Sequence, residues 1–563
     1  MRFTNKIEKN SKRILLILIF FSIFLTGTAL IFTVPISVKE TYSLTTRTID
    51  GETIYFNVFE PQEFFYESYN GDTKKPAIII GHGATLNKED LKGYAIEIAA
   101  AGFVAVPLDF RGLGQSTGDR ASGSLLDDIR AIKAYLSTRE DIDIHNLGYI
   151  GYSMGGIGFQ LVKEDKDFKC FIGIGTGLPT DPSDTIRADS GRKLNVLMIQ
   201  ALYDEAISLS RLKEGMAVRL GVKPGDIDVN KLYGSFNAGT ASMIYLDDDS
   251  NHLKVGWDTD FIRTARNWVI NTFPNIRIVD ENFYANIRLW ILLLQVIGGM
   301  GLFFLIIEPV SKKLLKSKED NIKKIELKDE TIKRITLKTI GFSLILGLPG
   351  ILIFIPILLL LPLATAGFVL TLLFGQWFGI FILLWRCSKK SDFSFSEILK
   401  NPFKRSKARF LRELELGAIM AAILYLIIYI SIGLNYLGIL PSYAKIPFIP
   451  LYFVISFFIL IIPAIMFHII IQNMFENTFK TTFYSAAIAF IVQFLYLFTY
   501  LFVLCTFINN YYYFGGYVPI ALPLFLLTSF VSVVFYQKTG NIISGTIINA
   551  FFLTMFLITL STP

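Results

Sequence analysis

Gly151-Tyr152-Ser153-Met154-Gly155 follows the apolar run Leu147 to Ile150 and precedes a segment with helical periodicity. A Gly-x-Ser-x-Gly turn between a strand and a helix is so tight that the positions two before and two after the serine must be nearly free of side chain. Such a turn lifts the serine hydroxyl out of the backbone, where it can act as a nucleophile. The pentapeptide alone is a weak signal, because small residues cluster by chance. Its weight comes from what surrounds it.

Outward from this turn, Pro76 to Gly83, Gly102 to Phe110, Leu147 to Tyr152, Phe168 to Gly175 and Val196 to Leu202 are short and almost continuously apolar. Strands buried on both faces look like this. Between them, Lys88 to Ala101, Ser124 to Ser137 and Met154 to Lys163 place apolar residues at helical spacing. Strand and helix therefore alternate, which predicts an α/β fold, a doubly wound and mostly parallel sheet with crossover helices. Thr41 to Pro61 alternates apolar and polar residues around Asp50-Gly51 and predicts a β-hairpin ahead of the parallel strands.

Four more stretches fall at strand ends. Gly81-His82-Gly83-Ala84 closes one strand and Asp109-Phe110-Arg111-Gly112-Leu113-Gly114-Gln115-Ser116 closes the next. Asp204 stands just past Val196 to Leu202, and His252 follows a last short strand, Ser242 to Leu246, and precedes an amphipathic helix from Trp257 to Phe273. A serine hydroxyl is a poor nucleophile at neutral pH and needs a base, and the base needs a carboxylate to fix its tautomer. Ser153, His252 and Asp204 are the residue types for these roles, in the chain order Ser, Asp, His. With these motifs in this order, residues from about Thr41 to Phe273 resemble an α/β-hydrolase domain, most like the esterase, dienelactone-hydrolase and serine-peptidase branches. The resemblance implies an oxyanion hole made by the backbone N–H groups of Met154 and Ala84, and a reaction that uses neither metal nor other cofactor.

Several residues compete for these roles. Glu205 adjoins Asp204, which is preferred because it ends the strand more directly. His82 is expected to shape the oxyanion loop, His145 lies before the Ser153 strand at the opposite edge of the sheet, and Asp109 and Arg111 read as turn-stabilising. Dienelactone hydrolases proper carry cysteine at the elbow, where this chain has serine, and Cys170 reads as a buried strand residue. Only about twenty residues separate Gly175 from Asn195, which leaves no room for a large lid, and Leu212 to Asp228 is expected to form a small flap.

The chain has 563 residues, 52% of them hydrophobic, which is too long for one domain and too apolar for a wholly soluble protein. Its formal charge is +7, yet residues 36–286 carry about nine more acidic than basic side chains. The basic surplus therefore belongs to the apolar remainder, and no nucleic-acid partner is expected. Cys170, Cys387 and Cys505 are too widely spaced to suggest a disulfide framework or a metal site.

Ile14 to about Ile36 is long enough to cross a bilayer and follows a basic flank, which predicts an uncleaved anchor with its N-terminus in the cytoplasm. Beyond Phe273, spans are expected at Leu289 to Ile307, twice within Ile340 to Trp385 with a break near Pro362, and at Leu416 to Leu434, Pro447 to Ile471, Phe483 to Phe507, Val518 to Tyr536 and Ile542 to Leu560. That makes about nine helices in a multi-pass cell-membrane protein. The basic runs Lys312 to Lys338 and Arg386 to Arg412 fall on the cytoplasmic side, which leaves the hydrolase-like domain outside it. The expected organisation is residues 1–36 as N-terminus and anchor, 37–286 as the α/β domain and 287–563 as an all-α membrane domain.

The last spans faintly resemble CAAX-protease-type membrane domains, notably at Lys538-Thr539-Gly540-Asn541. Pro463-Ala464 stand where that resemblance implies paired glutamates, and Asn549 where it implies a histidine, so such a domain would be catalytically dead. His468 sits within a span, where an ionisable group is a functional candidate. Eight spans exceed what anchoring requires; admitting lipid, binding a partner and forming a homo-oligomer are the roles open to them. The expected substrate is a small-molecule, lipid or peptide acyl compound, with the bilayer itself as a partner. The alternative is a transporter or receptor whose hydrolase-like domain binds a ligand without turnover.

Overall fold

The computed structural model describes residues 2–71, 73–121, 123–315, 325–358, 360–475, 478–508 and 512–561. Residues 316–324 of the first basic run lie outside the described residues. The chain divides into two compact units. One comprises Thr26–Leu294, Tyr429–Ala444 and Thr559–Pro563, and the other Met1–Leu25, Gln295–Ile428 and Lys445–Ile558.

The first unit is built on eight strands: β1 (Val38–Arg47), β2 (Thr53–Pro61), β3 (Lys75–Gly81), β4 (Val104–Leu108), β5 (Ile142–Tyr152), β6 (Phe168–Ile174), β7 (Asn195–Tyr203) and β8 (Ser242–Asn251). They form one sheet in the order β1-β2-β4-β3-β5-β6-β7-β8. The β1–β2 hairpin and the β2–β4 pair are antiparallel, and every neighbour from β4 to β8 is parallel. This is the α/β-hydrolase sheet, with β5 at its centre.

Alternation along each strand explains why the strands read as unbroken apolar runs. In β3, Ile78 and Ile80 pack with Ala95, Ile98, Phe261 and Val269 on one face, while Ala77 and Ile79 pack with Ile129, Ile132, Leu212 and Met216 on the other. Each fully buried aliphatic side chain of this kind contributes about 1.5–3 kcal/mol. Helices Lys92–Ala100 and Thr259–Thr272 cover the first face, and Leu125–Ser137 and Leu209–Leu220 cover the second.

Two features differ from the sequence reading. The first part of the expected flap, Leu212 to Leu220, belongs to the crossover helix Leu209–Leu220, capped by the Ser208 hydroxyl and ended by Gly221 in the left-handed conformation. Leu212, Met216 and Ala217 bury its inner face in the core, so this part is a layer of the fold rather than a flap, and only the mostly exposed turn 221–228 follows it. The second difference is that β8 continues past Leu246 to Asn251. Asp247 to Asn251 have little strand propensity, but Ala201 and Tyr203 of β7 pair with Asp247 and Asn251 across a register shift and supply the ladder.

Residues 429–444 join this unit from far along the chain. The buried Asn87 amide makes two bonds with Gly438: its Nδ2 donates to the carbonyl at 2.8 Å and its Oδ1 accepts from the N–H at 2.9 Å. Arg288 Nη2 donates to Asn435 O at 2.9 Å, and its guanidinium lies 5.3 Å from the Tyr436 ring centre.

The second unit is helical. Among the described residues of the whole chain, nine helices are long and apolar enough to cross a membrane, from Ser11–Thr33 near the N-terminus to Ile542–Leu560. The long apolar stretch from Ile340 to Trp385 is divided between Ile332–Leu358 and Ala364–Ser388, which places the break around Pro362. The helix Ile449–Ala464 carries Pro463 in its last turn and widens into a π-turn over Ile465–Ile471.

Candidate active site

Strand β5 ends at Tyr152, and Ser153 takes φ +48°, a left-handed conformation that costs a side-chain-bearing residue about 1–3 kcal/mol. The flanking glycines make this turn feasible. A Cβ on Gly151 would lie 2.5 Å from the Gly155 carbonyl oxygen, and one on Gly155 would collide with the Gly81 carbonyl at the end of β3. The chain then continues as a 3-10 turn, Ser153–Gly158, before the short α-helix Phe159–Glu164.

Ser153 Oγ lies 3.1 Å from His252 Nε2, and His252 Nδ1 lies 2.9 Å from Asp204 Oδ2. The side chains of His252 and Asp204 are each 1% exposed, so their contact is shielded from water. Asp204 Oδ1 accepts from the backbone N–H groups of Ala206 and Ile207 at 2.8 and 2.9 Å, which holds the carboxylate in place. With Nδ1–H donated to Asp204, Nε2 keeps its lone pair toward the serine hydroxyl. Glu205 is exposed, and the carboxylate in contact with the imidazole is that of Asp204.

The Gly81-His82-Gly83-Ala84 loop packs against the elbow: the Gly83 Cα is so close to the Tyr152 ring that a Cβ there would approach it to 2.7 Å. His82 is fully buried and uses both ring nitrogens. Nδ1–H donates to Gly83 O at 2.7 Å, and Nε2 accepts from the Phe110 N–H at 3.1 Å. Burial takes its pKa down to about 4, so the ring is neutral at pH 7 and braces the loop that carries Ala84. Met154 is the first residue after Ser153, at the start of the 3-10 turn. Its sulfur accepts from Arg120 Nη1 at 3.3 Å, which brings a guanidinium to the edge of the site.

Two further residues support this arrangement and are not evident in the sequence. The Tyr152 hydroxyl donates to the His252 carbonyl at 2.6 Å, so the residue before the serine fixes the backbone of the histidine loop. Gly175, at φ +52° after β6, forms the floor: a Cβ there would stand 3.0 Å from His252 Nδ1 and 3.3 Å from Asp204 Oδ2. The x position of Gly-x-Ser carries no motif signal, although an aromatic hydroxyl in a buried strand must find a partner.

The remaining residues noted in the sequence have structural partners. Asp109 accepts from the Lys88 N–H and Nζ and from the Gln115 N–H. Arg111 is clamped between Asp128 and Asp50. The exposed His145 pairs with Asp167. Cys170 is fully buried, and desolvation pushes its thiol up to about 12, which leaves it inert. Asp247 and Asp249, in the last part of β8, gather with Asp258, which accepts from Ser250 Oγ and from the Asp260 and Phe261 N–H groups and so orders the turn after His252.

The sheet order, with a serine on a left-handed turn after its central strand, defines an α/β-hydrolase fold. Solved structures with which the chain aligns include an esterase of Pyrococcus furiosus (14% identity, TM-score 0.31, 41% of this chain and 92% of that one). A Xanthomonas campestris serine hydrolase described as lacking a lid aligns at 16% identity and TM-score 0.31, over 42% and 96%. A dienelactone hydrolase of Anabaena variabilis aligns at 15% identity and TM-score 0.30, over 43% and 99%. In sequence, the chain is 32% identical over 109 residues to an uncharacterized 31.7 kDa Escherichia coli protein from the traX-finO intergenic region. That match covers 18% of this chain and 37% of the relative, so the chain spans little more than a third of the relative's length. No family model matches.

Proposed function

We propose that the protein is a membrane-embedded serine hydrolase that cleaves an ester, thioester or amide through an acyl-enzyme. The observation that carries this reading is the Ser153–His252–Asp204 relay, with contacts of 3.1 and 2.9 Å, at a strained elbow beside the Gly81–Ala84 loop. Ser153 Oγ attacks the acyl carbon while its proton passes to His252 Nε2, and Asp204 stabilises the resulting imidazolium through Nδ1–H. The Ala84 and Met154 N–H groups receive the oxyanion. His252 then gives its proton to the departing alkoxide, thiolate or amine, and a water molecule releases the acid by the same steps in reverse order. No cofactor takes part.

The candidate span Ser11–Thr33 ends a short linker before β1. This tether supports amphiphilic or surface substrates such as lipid esters and acylated surface peptides. The basic flank of that span and the basic runs farther along support an extracytoplasmic hydrolase domain. For the C-terminal spans the reading is non-proteolytic, because Pro463-Ala464 and Asn549 replace the groups that the CAAX-protease resemblance requires; lipid admission or homo-oligomerisation is left to them.

A fluorophosphonate probe tests the central claim, since it reacts with an activated serine. The folded wild-type chain is expected to label and His252→Ala to lose labelling. A folded wild type that stays unlabelled would overturn the reading. A smaller effect is expected at Tyr152. Tyr152→Phe removes one hydrogen bond to the His252 carbonyl, worth about 1 kcal/mol, and should lower kcat about fivefold with KM unchanged. An equal fall in thermal stability without any change in kcat would make Tyr152 purely structural.

A further inference from the structure

Residues 434–442 lie between the candidate spans Lys407–Gly433 and Tyr443–Met474, yet they belong to the same compact unit as the sheet. Within that unit they meet two loops of the site. Gly438 is bonded to Asn87, which stands three residues past Ala84. The Tyr436 ring centre lies 5.9 Å from that of Trp257, five residues past His252. One segment thus touches the loop that carries Ala84 and the loop that carries the base.

The first of these loops needs holding. Thr85, directly after Ala84, takes φ +61°, a left-handed conformation that a β-branched side chain resists. The turn closes on a long bond, from Leu86 N–H to Gly83 O at 3.4 Å. Strain of this kind persists only where the surroundings impose it. Upstream, His82 is fixed through both ring nitrogens. Downstream, the Lys88 N–H donates to Asp109 Oδ1 at 2.8 Å, just past β4. Between them stands Asn87, fully buried, with both ends of its amide on Gly438 at 2.8 and 2.9 Å. That pairing also fixes the amide's orientation, because a flip would set donor against donor and acceptor against acceptor. The fit admits no side chain on the partner: a Cβ on Gly438 would stand 2.6 Å from Glu89 Oε2 and 3.1 Å from Asn87 Nδ2.

We propose that Asn87 and Gly438 are a positioning pair that holds the Ala84 N–H toward the oxyanion, so that acyl transfer at Ser153 depends on a segment joining two candidate spans. This rests on the hydrolase reading and adds to it a determinant far outside residues 37–286. The oxyanion exists only in the tetrahedral steps, so a displaced donor slows turnover and leaves substrate affinity alone.

The test uses the full chain in nanodiscs, with p-nitrophenyl butyrate as substrate and trifluoromethyl propyl ketone as the tetrahedral analogue. Asn87→Ala is expected to lower kcat on the order of 30-fold, short of the about 100-fold or more that outright loss of a donor costs. KM should stay within about twofold, the inhibition constant of the ketone should rise by the same factor as kcat falls, and the pH profile should keep its inflection, since the triad is untouched. Gly438→Ala should reproduce the pattern from the other end of the contact, and the double variant should be no worse than the weaker single one. The two substitutions perturb the pair from opposite sides, so one stays informative if the other fails to fold. Wild-type kcat in folded Asn87→Ala, a change confined to KM, a fall in kcat with the ketone's affinity unchanged, or additive losses in the double variant would each overturn the proposal. A folded wild type that neither hydrolyses the ester nor takes the fluorophosphonate label would instead overturn the hydrolase reading, and the pair's role with it.

Discussion

Ser153→Ala is expected to lower kcat/KM for an acyl ester by a factor on the order of 10⁴ or more while the chain still folds and inserts. The size follows from what is lost. Without Oγ there is no nucleophile to form the acyl-enzyme, and only the oxyanion donors and substrate binding can still act on a water molecule. Stability should barely move, because alanine keeps the Cβ and pays the same cost at φ +48°. Ester hydrolysis by the purified variant, read beside its thermal melting curve, is the check. Activity equal to wild type in a clean preparation would remove Ser153 from the chemistry.

A loss of about 10⁴ in kcat is expected for Asp204→Asn, against less than threefold for Glu205→Gln. Asp204 accepts from His252 Nδ1 with one oxygen and from two backbone N–H groups with the other. The acceptor end of an asparagine is claimed by Ala206 and Ile207, so its amide N–H₂ would face Nδ1. That favours the wrong imidazole tautomer, with the proton on Nε2 and no lone pair toward Ser153. Glu205 points to solvent and takes no part in the contact. Parallel kinetics on the two variants decide the assignment; equal losses would show that the acidic pair acts only through local folding.

The sheet could be read from the sequence because its physics is local. Strands buried on both faces must be apolar at every position, as Ala77 to Ile80 are, and a turn that brings Gly155 against Gly81 admits no side chain. What could not be read depends on contacts distant in the chain. Asp247 to Asn251 become strand only because β7 offers a partner edge. Leu209–Leu220 looks like a loop insertion until Leu212 and Met216 are seen to cover the sheet. In the site, the residue types and order of Ser153, Asp204 and His252 were visible, whereas the Tyr152 hydroxyl and Gly175 are defined by partners 100 and 77 residues away, beyond any motif.

The bonds between Asn87 and Gly438 have a consequence for how the protein is made. Some 351 residues separate the two partners, and several candidate spans lie between them. As the ribosome delivers the chain from its N-terminus, the eight strands can be completed long before residue 438 emerges. Until then Asn87 lacks the amide and carbonyl it will bond, and Arg288 lacks Asn435. The α/β unit is therefore finished late in synthesis, by a segment that arrives only after five of the nine candidate spans among the described residues. A nascent chain halted before that point would carry the serine, the acid and the histidine on a unit not yet fastened.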